Sequence, residues 1–133
     1  MDIEELIDNF ELLEDWEDKY SYIIELGKNL EPIDENYRTE EWKVRGCQSQ
    51  VWLEPSIKEG ILSFKGDSDA FIVKGLIAIV FTIYSNKSAQ EIKEIAVEEI
   101  FAKLGLQEHL SPSRRNGLFS MVEKIKYYAD TLS

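Results

Sequence analysis

The amino-acid sequence predicts an α+β fold in a single domain spanning residues 1–133, with a small three-stranded antiparallel sheet packed against several helices. Two observations support this prediction. Apolar residues recur every three or four positions near both ends of the chain, which is typical of amphipathic helices, whereas they alternate in the middle, which is typical of strands. A chain of 133 residues is also long enough to bury one hydrophobic core.

Two helices are expected before the sheet. Asp2 and Glu5 resemble a capping box that starts the first helix. The second helix is expected to end at Gly27, and a polar connector over residues 28–41 follows it. The two apolar stripes that predict these helices are Ile3, Leu6, Ile7, Phe10 and Leu13, then Trp16, Tyr20, Ile23 and Ile24.

Three short strands are expected next, at residues 42–45, 50–54 and 61–65. The connections between them are tight, so an antiparallel meander is predicted, with residues 46–49 forming the tip between its first two strands. Pro55 has no N–H to donate to a neighbouring strand, which favours an edge position or the end of a strand.

A central buried helix is expected over residues 70–84, because this segment is apolar nearly all round. The preceding GDSD segment, residues 66–69, is expected to end the sheet and to supply the N-cap of this helix. Gly75 lies inside the helix, where glycine costs about 1 kcal/mol relative to alanine. We therefore expect another backbone to approach closely at Gly75.

Three further helices complete the expected fold. A capping box at residues 88–91 starts a helix that runs to residue 94, and a second covers residues 98–104 and ends at Gly105. Pro112 occupies the first position of the last helix.

The overall charge bears on the kind of partner. The formal net charge is −11 and the sequence pI is about 4.5, which argues against nonspecific binding to nucleic acid or to an anionic membrane. The N-terminus lacks a basic segment before an apolar run, and the longest apolar stretch, residues 75–83, is shorter than the ~20 residues of a membrane span. We expect a cytoplasmic protein, either a monomer or a weak homodimer.

Cys47 is the most informative candidate for chemistry. It is the only cysteine, so it cannot form an internal disulfide or build a cysteine-rich metal site, and no metal is expected. A free cysteine often fills space in a core, but Gly46 and the polar residues Gln48, Ser49 and Gln50 flank this one. Nearby Arg45 and Lys43 could favour the reactive thiolate.

The role of such a thiol narrows by elimination. A hydrolase would need His109, the only histidine, as its base, and a dithiol oxidoreductase would need a second cysteine. What remains is a thiol that accepts a group and passes it on. Arg114 and Arg115, in the first turn of the last helix, oppose the helix dipole, which suggests a second role such as binding a carboxylate.

Three separated motifs, "GCQSQVW", "GDSDAFIVKGLIAIVF" and "LSPSRRNGL", stand in the order and spacing of the SufE family. The segment "WEDKYSYIIELG" extends the similarity to nearly the whole chain. Trp42 departs from the family pattern, since many members carry a small polar residue there, often asparagine.

The resemblance implies a SufE-like fold and a sulfur acceptor in iron–sulfur cluster assembly, which is not itself an enzyme. Its partner would be a PLP-dependent cysteine desulfurase of the SufS or CsdA type, and a scaffold of the SufBCD type would receive the sulfur. Cys47 would form the persulfide, and no cofactor would reside on this chain. The surface that meets the desulfurase would comprise Arg45, Gly46, Gln48, Ser49, Gln50, Asp69 and Arg114.

Two other functions stay open at this point. A noncatalytic adaptor would bind the desulfurase and change its conformation without using Cys47. An iron–sulfur scaffold would need more ligands than one cysteine and one histidine.

Overall fold

The computed structural model describes residues 1–132. Its helices and strands are, in chain order, α1 (Ile3–Leu12), α2 (Trp16–Lys28), β1 (Val51–Lys58), β2 (Ile61–Ser68), α3 (Phe71–Tyr84), β3 (Lys87–Ser88), α4 (Ala89–Glu94), α5 (Val97–Leu104), α6 (Leu106–His109) and α7 (Pro112–Leu132). Two short 3-10 helices, Glu35–Tyr37 and Glu40–Trp42, lie in the connector between α2 and β1. The expected α+β fold is confirmed.

The sheet has three antiparallel strands in the order β1-β2-β3, with β1 and β2 paired along their whole length from Val51 opposite Ser68 to Lys58 opposite Ile61. Glu59 and Gly60 close the hairpin with φ values of 53° and 80°. Positive φ at both positions produces the backbone twist that suits a two-residue hairpin. Pro55 lies within β1, which is an edge strand, so the expected edge position is confirmed.

The third strand is not the one that the sequence suggested. It is Lys87–Ser88, which pairs with Ile61 and Leu62 of β2, so the prediction of a strand at residues 42–45 is wrong. There the chain makes a 3-10 helix through Trp42, and only Lys43 forms a bridge, with Trp52. Local 3-10 hydrogen bonds therefore take the place of a strand ladder in this segment.

Helix α3 is buried at the centre of the fold, as expected, and packs against α2 and β2. A Cβ added to Gly75 would lie 2.1 Å from the carbonyl oxygen of Ile23 in α2, and one added to Gly27 would lie 2.6 Å from the Gly75 nitrogen. The expected close approach of another backbone is thus confirmed. The two glycines allow α2 and α3 to meet backbone to backbone.

The expected N-cap of α3 is wrong. Strand β2 continues through Ser68, and the N-cap is Ala70, which makes no side-chain capping bond. Ser68 Oγ instead accepts a hydrogen bond from the Ala70 N–H at 3.3 Å, and the Asp69 carboxylate accepts one from the Gln50 N–H. The GDSD segment therefore extends the sheet and shapes a loop.

Several other helix ends agree with the sequence. Asp2 accepts a hydrogen bond from the Glu5 N–H, Ser88 and Glu91 form a reciprocal capping box, and Gly105 ends α5 in a left-handed conformation. The four-residue helix α6 was not predicted, because one turn carries no periodic signal. Over residues 1–132, no helix has both the length and the apolar character that a membrane crossing requires.

Candidate functional site

Cys47 lies in the loop between Lys43 and β1, hereafter the Cys47 loop, residues 45–50. The loop rests on α7, and the thiol is half-buried. Cys47 Sγ donates a weak hydrogen bond to the Gly117 carbonyl oxygen at 3.6 Å. Two elements far apart in sequence therefore meet at the thiol.

A cavity of about 180 Å³ adjoins the thiol. Helix α3 contributes an apolar wall, the Cys47 loop covers another side, and α7 with the residue preceding it supplies the rest. The lining residues outside the loop are Val73, Leu76, Ser111, Ser113, Arg114, Gly117, Leu118 and Met121. Helix α3 therefore shelters the side of the thiol that faces the cavity. Trp52 does not line the cavity, and its ring lies 5.7 Å from the Arg38 guanidinium.

Glycine is required where the loop meets α7. Gly46 has φ +89°, a left-handed conformation that other residues rarely adopt, and a Cβ there would lie 2.5 Å from Ser120 Oγ. In α7, a Cβ on Gly117 would lie 3.4 Å from Cys47 Sγ, so the small residue leaves the thiol in direct reach of the helix backbone. The loop is thus fitted closely to one face of α7.

Asp69 holds the other end of the loop. Its carboxylate accepts a hydrogen bond from the Gln50 N–H at 3.0 Å, and its own N–H donates to the Gln50 carbonyl at 3.3 Å. Both residues are exposed. The pair ties the Cys47 loop to the segment that leads into α3, a role that the sequence did not reveal.

Burial sets the ionisation of the thiol. Desolvation raises the pKa of Cys47, so the neutral thiol is favoured in this conformation. The expectation that Arg45 and Lys43 favour the thiolate is wrong here. Both cations pair with Glu40, at 3.8 Å and 3.6 Å respectively, so this one carboxylate partly offsets their charge. The thiol becomes a better nucleophile only if the Cys47 loop moves away from α7 and exposes the thiol to solvent.

Arg114 and Arg115 differ in surroundings. Arg115 donates from its guanidinium to the Gln107 carbonyl at 3.3 Å. Arg114 is half-buried and lines the cavity, and its backbone N–H donates to Ser111 Oγ at 3.3 Å. Within residues 1–132 the Arg114 guanidinium forms no ion pair and donates no hydrogen bond. Arg114 in the cavity wall is thus a cation without an ion-pair partner among the described residues.

The structure brings most of the residues proposed from sequence to the cavity or beside it. Gln48, Ser49 and Arg114 line the cavity with Cys47, and the exposed residues Gly46, Gln50 and Asp69 adjoin that lining in the loop or through the Gln50–Asp69 pair. Arg45 instead lines a separate groove with Glu40 and Ser120. His109 is elsewhere: its ring stacks on Trp16 at 4.5 Å and does not line the cavity, so it is not placed as a base for the thiol. In the described chain, no group of three or more His, Cys, Asp or Glu side chains is arranged to hold a metal.

Sequence reasoning missed Val73 and Leu76 in α3 and Gly117 and Ser120 in α7. Each looks like an ordinary helix position, and only the tertiary fold brings them to the Cys47 loop. The one available signal was Gly117, a glycine within an otherwise continuous helix, where a close contact is the usual explanation.

Comparison with known proteins places these features in context. The family model described as "SufE: Fe-S metabolism associated domain" matches residues 4–129. An uncharacterized SufE-like protein of Rhizobium meliloti is 51% identical, with 96% of this chain and 94% of that protein covered. An uncharacterized SufE-like protein of Rhizobium etli is 52% identical, with 93% of this chain and 86% of that protein covered.

A solved structure shares the fold. The solution structure of a hypothetical protein from Thermus thermophilus matches with a TM-score of 0.78 and 17% sequence identity, covering 96% of this chain and 93% of the other. At that identity the similarity concerns the fold alone.

Proposed function

Because this chain belongs to the SufE family, whose domain is associated with Fe–S metabolism, we propose that it carries sulfur as a persulfide on Cys47. The observation that supports this most directly is the placement of its one thiol, half-buried at a cavity and on a loop tied down by a few contacts. A thiol with no base beside it suits a transfer step in which another protein supplies the activated sulfur.

The donor in this proposal is a PLP-dependent cysteine desulfurase of the SufS or CsdA type, which holds sulfur as a persulfide on its own cysteine. The Cys47 thiolate attacks the outer sulfur of that persulfide. A new S–S bond forms on Cys47, the S–S bond of the donor breaks, and the donor cysteine leaves as a thiolate. Sulfur moves without net oxidation, so this chain needs no metal and no cofactor of its own for the step.

Transfer requires the loop to move. In the docked loop, burial raises the pKa of Cys47, and the S–H group is bonded to Gly117. An attacking thiol reacts as its thiolate, so the docked conformation protects the thiol and a displaced conformation reacts. The contacts that must break are few: the thiol to Gly117, and the pair between Gln50 and Asp69.

The desulfurase is proposed to dock around the mouth of the cavity, because its persulfide must reach Cys47. The docking residues are Arg45, Gly46, Gln48, Ser49, Gln50, Asp69 and Arg114. Displacing Gln50 from Asp69 on docking would release the loop at the moment when transfer is possible. After transfer, the loaded chain would stimulate the desulfurase by freeing its cysteine and would deliver sulfur to a downstream scaffold of the SufBCD type.

Multiple-turnover desulfurase assays test this function. With purified desulfurase, L-cysteine and a reductant, the wild-type chain should increase sulfide release, and Cys47→Ser should lose that stimulation while still binding. An adaptor that acts only by contact would behave in the opposite way: Cys47→Ser would stimulate fully, and charge reversal at Asp69 or Arg114 would abolish the effect. Full stimulation by Cys47→Ser would contradict the carrier function.

A further inference from the structure

The cavity beside Cys47 has an unbalanced charge. Its walls are apolar or neutral except for Arg114, the one charged side chain among the described residues that line it. Arg114 is half-buried, and its guanidinium has no ion pair in the described chain. Partial burial of an unpaired cation is unfavourable, so this wall is better suited to a ligand that carries negative charge than to an empty cavity.

The unloaded thiol does not supply that charge. Cys47 donates its S–H to the Gly117 carbonyl, an acceptor that suits a neutral thiol and disfavours an anion. The geometry of the empty carrier therefore leaves Arg114 uncompensated. A loaded carrier differs, since a hydropersulfide is a stronger acid than the corresponding thiol and its outer sulfur extends one bond farther from the loop.

We propose that Arg114 is the counter-ion of the Cys47 persulfide anion, so that the cavity favours the loaded carrier over the empty one. This inference rests on the proposed function and adds to it the chemical basis for holding the cargo. The product of transfer, Cys47–S–SH, releases one proton to water and becomes Cys47–S–S⁻. Its terminal sulfur then turns away from the Gly117 carbonyl toward the guanidinium, and the loop closes over it.

The surroundings leave Arg114 as the source of this stabilisation. Helix α3 presents only Val73 and Leu76 to the cavity, and the remaining α7 contacts are neutral. Among charged groups near the loop, Arg45 pairs with Glu40 and Asp69 is bonded to Gln50, neither being part of the cavity wall. The first turn of α7, a 21-residue helix, adds a positive dipole end on the same side.

The test loads Cys47 without any desulfurase. Inorganic polysulfide supplies the outer sulfur under anaerobic conditions, and iodoacetamide, a neutral reagent, alkylates the persulfide at a series of pH values with detection by mass. The variants are Arg114→Gln, which removes the charge, Arg114→Lys, which retains it, and Arg115→Gln as a matched control outside the cavity. The midpoint of the plot of alkylation rate against pH reports the pKa of the persulfide. The plateau rate at high pH reports how accessible the persulfide is to iodoacetamide.

In Arg114→Gln we expect the midpoint to rise by about one pH unit, which lowers the alkylation rate about fivefold at the wild-type midpoint and about tenfold well below it. Arg114→Lys should retain most of the wild-type midpoint, and Arg115→Gln should match wild type. Hydrogen exchange of residues 46–50 should slow on loading in wild type but not in Arg114→Gln. An unchanged midpoint and unchanged exchange in Arg114→Gln would overturn the counter-ion role. Failure of a desulfurase to load Cys47 would instead overturn the proposed function and leave this test standing.

Discussion

Removing the Asp69 carboxylate should loosen the Cys47 loop and expose the thiol. In wild type the Gln50 N–H donates to that carboxylate at 3.0 Å, a bond within the normal range for N–H···O. A hydrogen bond of this kind contributes about 1 kcal/mol net. Its loss in Asp69→Ala should raise the population of the open loop about fivefold, since about 1.4 kcal/mol corresponds to a factor of ten.

The assay is the rate at which iodoacetamide alkylates Cys47 at fixed pH. Because burial raises the pKa of the docked thiol, reaction occurs mainly from the open loop, and the rate follows the open population. We expect a rise of about fivefold in Asp69→Ala and a smaller rise in Asp69→Asn, which keeps a neutral acceptor.

A matched control separates this local effect from general destabilisation. Asp2 caps α1 with a bond of the same type, from the Glu5 N–H at 2.9 Å, and it does not contribute to the cavity beside Cys47. Asp2→Ala should leave the alkylation rate unchanged. Equal rates in Asp69→Ala and wild type would refute the reasoning that this carboxylate holds the loop.

Three further outcomes are expected. Gly75→Ala should lower the free energy of unfolding, measured by urea titration, by about 2 kcal/mol. The added Cβ would clash with the Ile23 carbonyl, and this overpacking outweighs the gain in helix propensity. A more stable Gly75→Ala variant would contradict this packing. Burial alone would raise the pKa of the Asp67 carboxyl, but the Ser68 N–H and two nearby cations lower it overall. The Asp67 carboxylate therefore stabilises the fold above its ordinary pKa, and this stabilisation is lost as pH falls through the lowered pKa. Asp67→Asn should lower the free energy of unfolding by about 2 kcal/mol at pH 7 and by less in acid. A difference between variant and wild type that does not change with pH would contradict this role. Burial raises the pKa of the Cys47 thiol when the loop rests on α7, so this loop conformation is destabilised as pH rises above the ordinary cysteine value of about 8.5. Above that pH, the protection of the amides of residues 46–50, taken relative to their intrinsic exchange rates, should fall. An equal fall in Cys47→Ser would show that the thiol is not the cause.

Much of the fold is readable from local sequence because the signals are local. The periodic helices follow from side-chain spacing, and the Gly75 contact follows from a glycine where helix propensity disfavours one. The third strand could not be predicted, because Lys87–Ser88 is too short to show alternation. The segment at residues 42–45 alternates but lacks a partner beyond the Lys43–Trp52 bridge.

The candidate site also has a part that local sequence predicts and a part that only the tertiary fold creates. Cys47 and its glycine and polar neighbours are contiguous, so the sequence identifies the loop. The cavity depends on α3 and α7, which come together only in the fold. The effect of Arg45 was misjudged because charge was considered without its partner, Glu40, five residues earlier in the chain.

The carrier function is tested most directly by the intact mass of the chain after incubation with a purified cysteine desulfurase and L-cysteine under anaerobic conditions. We predict that wild type gains the mass of one sulfur atom, that a reductant removes it, and that Cys47→Ser gains nothing. A wild-type chain that stimulates the desulfurase yet never gains sulfur, or a Cys47→Ser chain that gains it, would contradict the account.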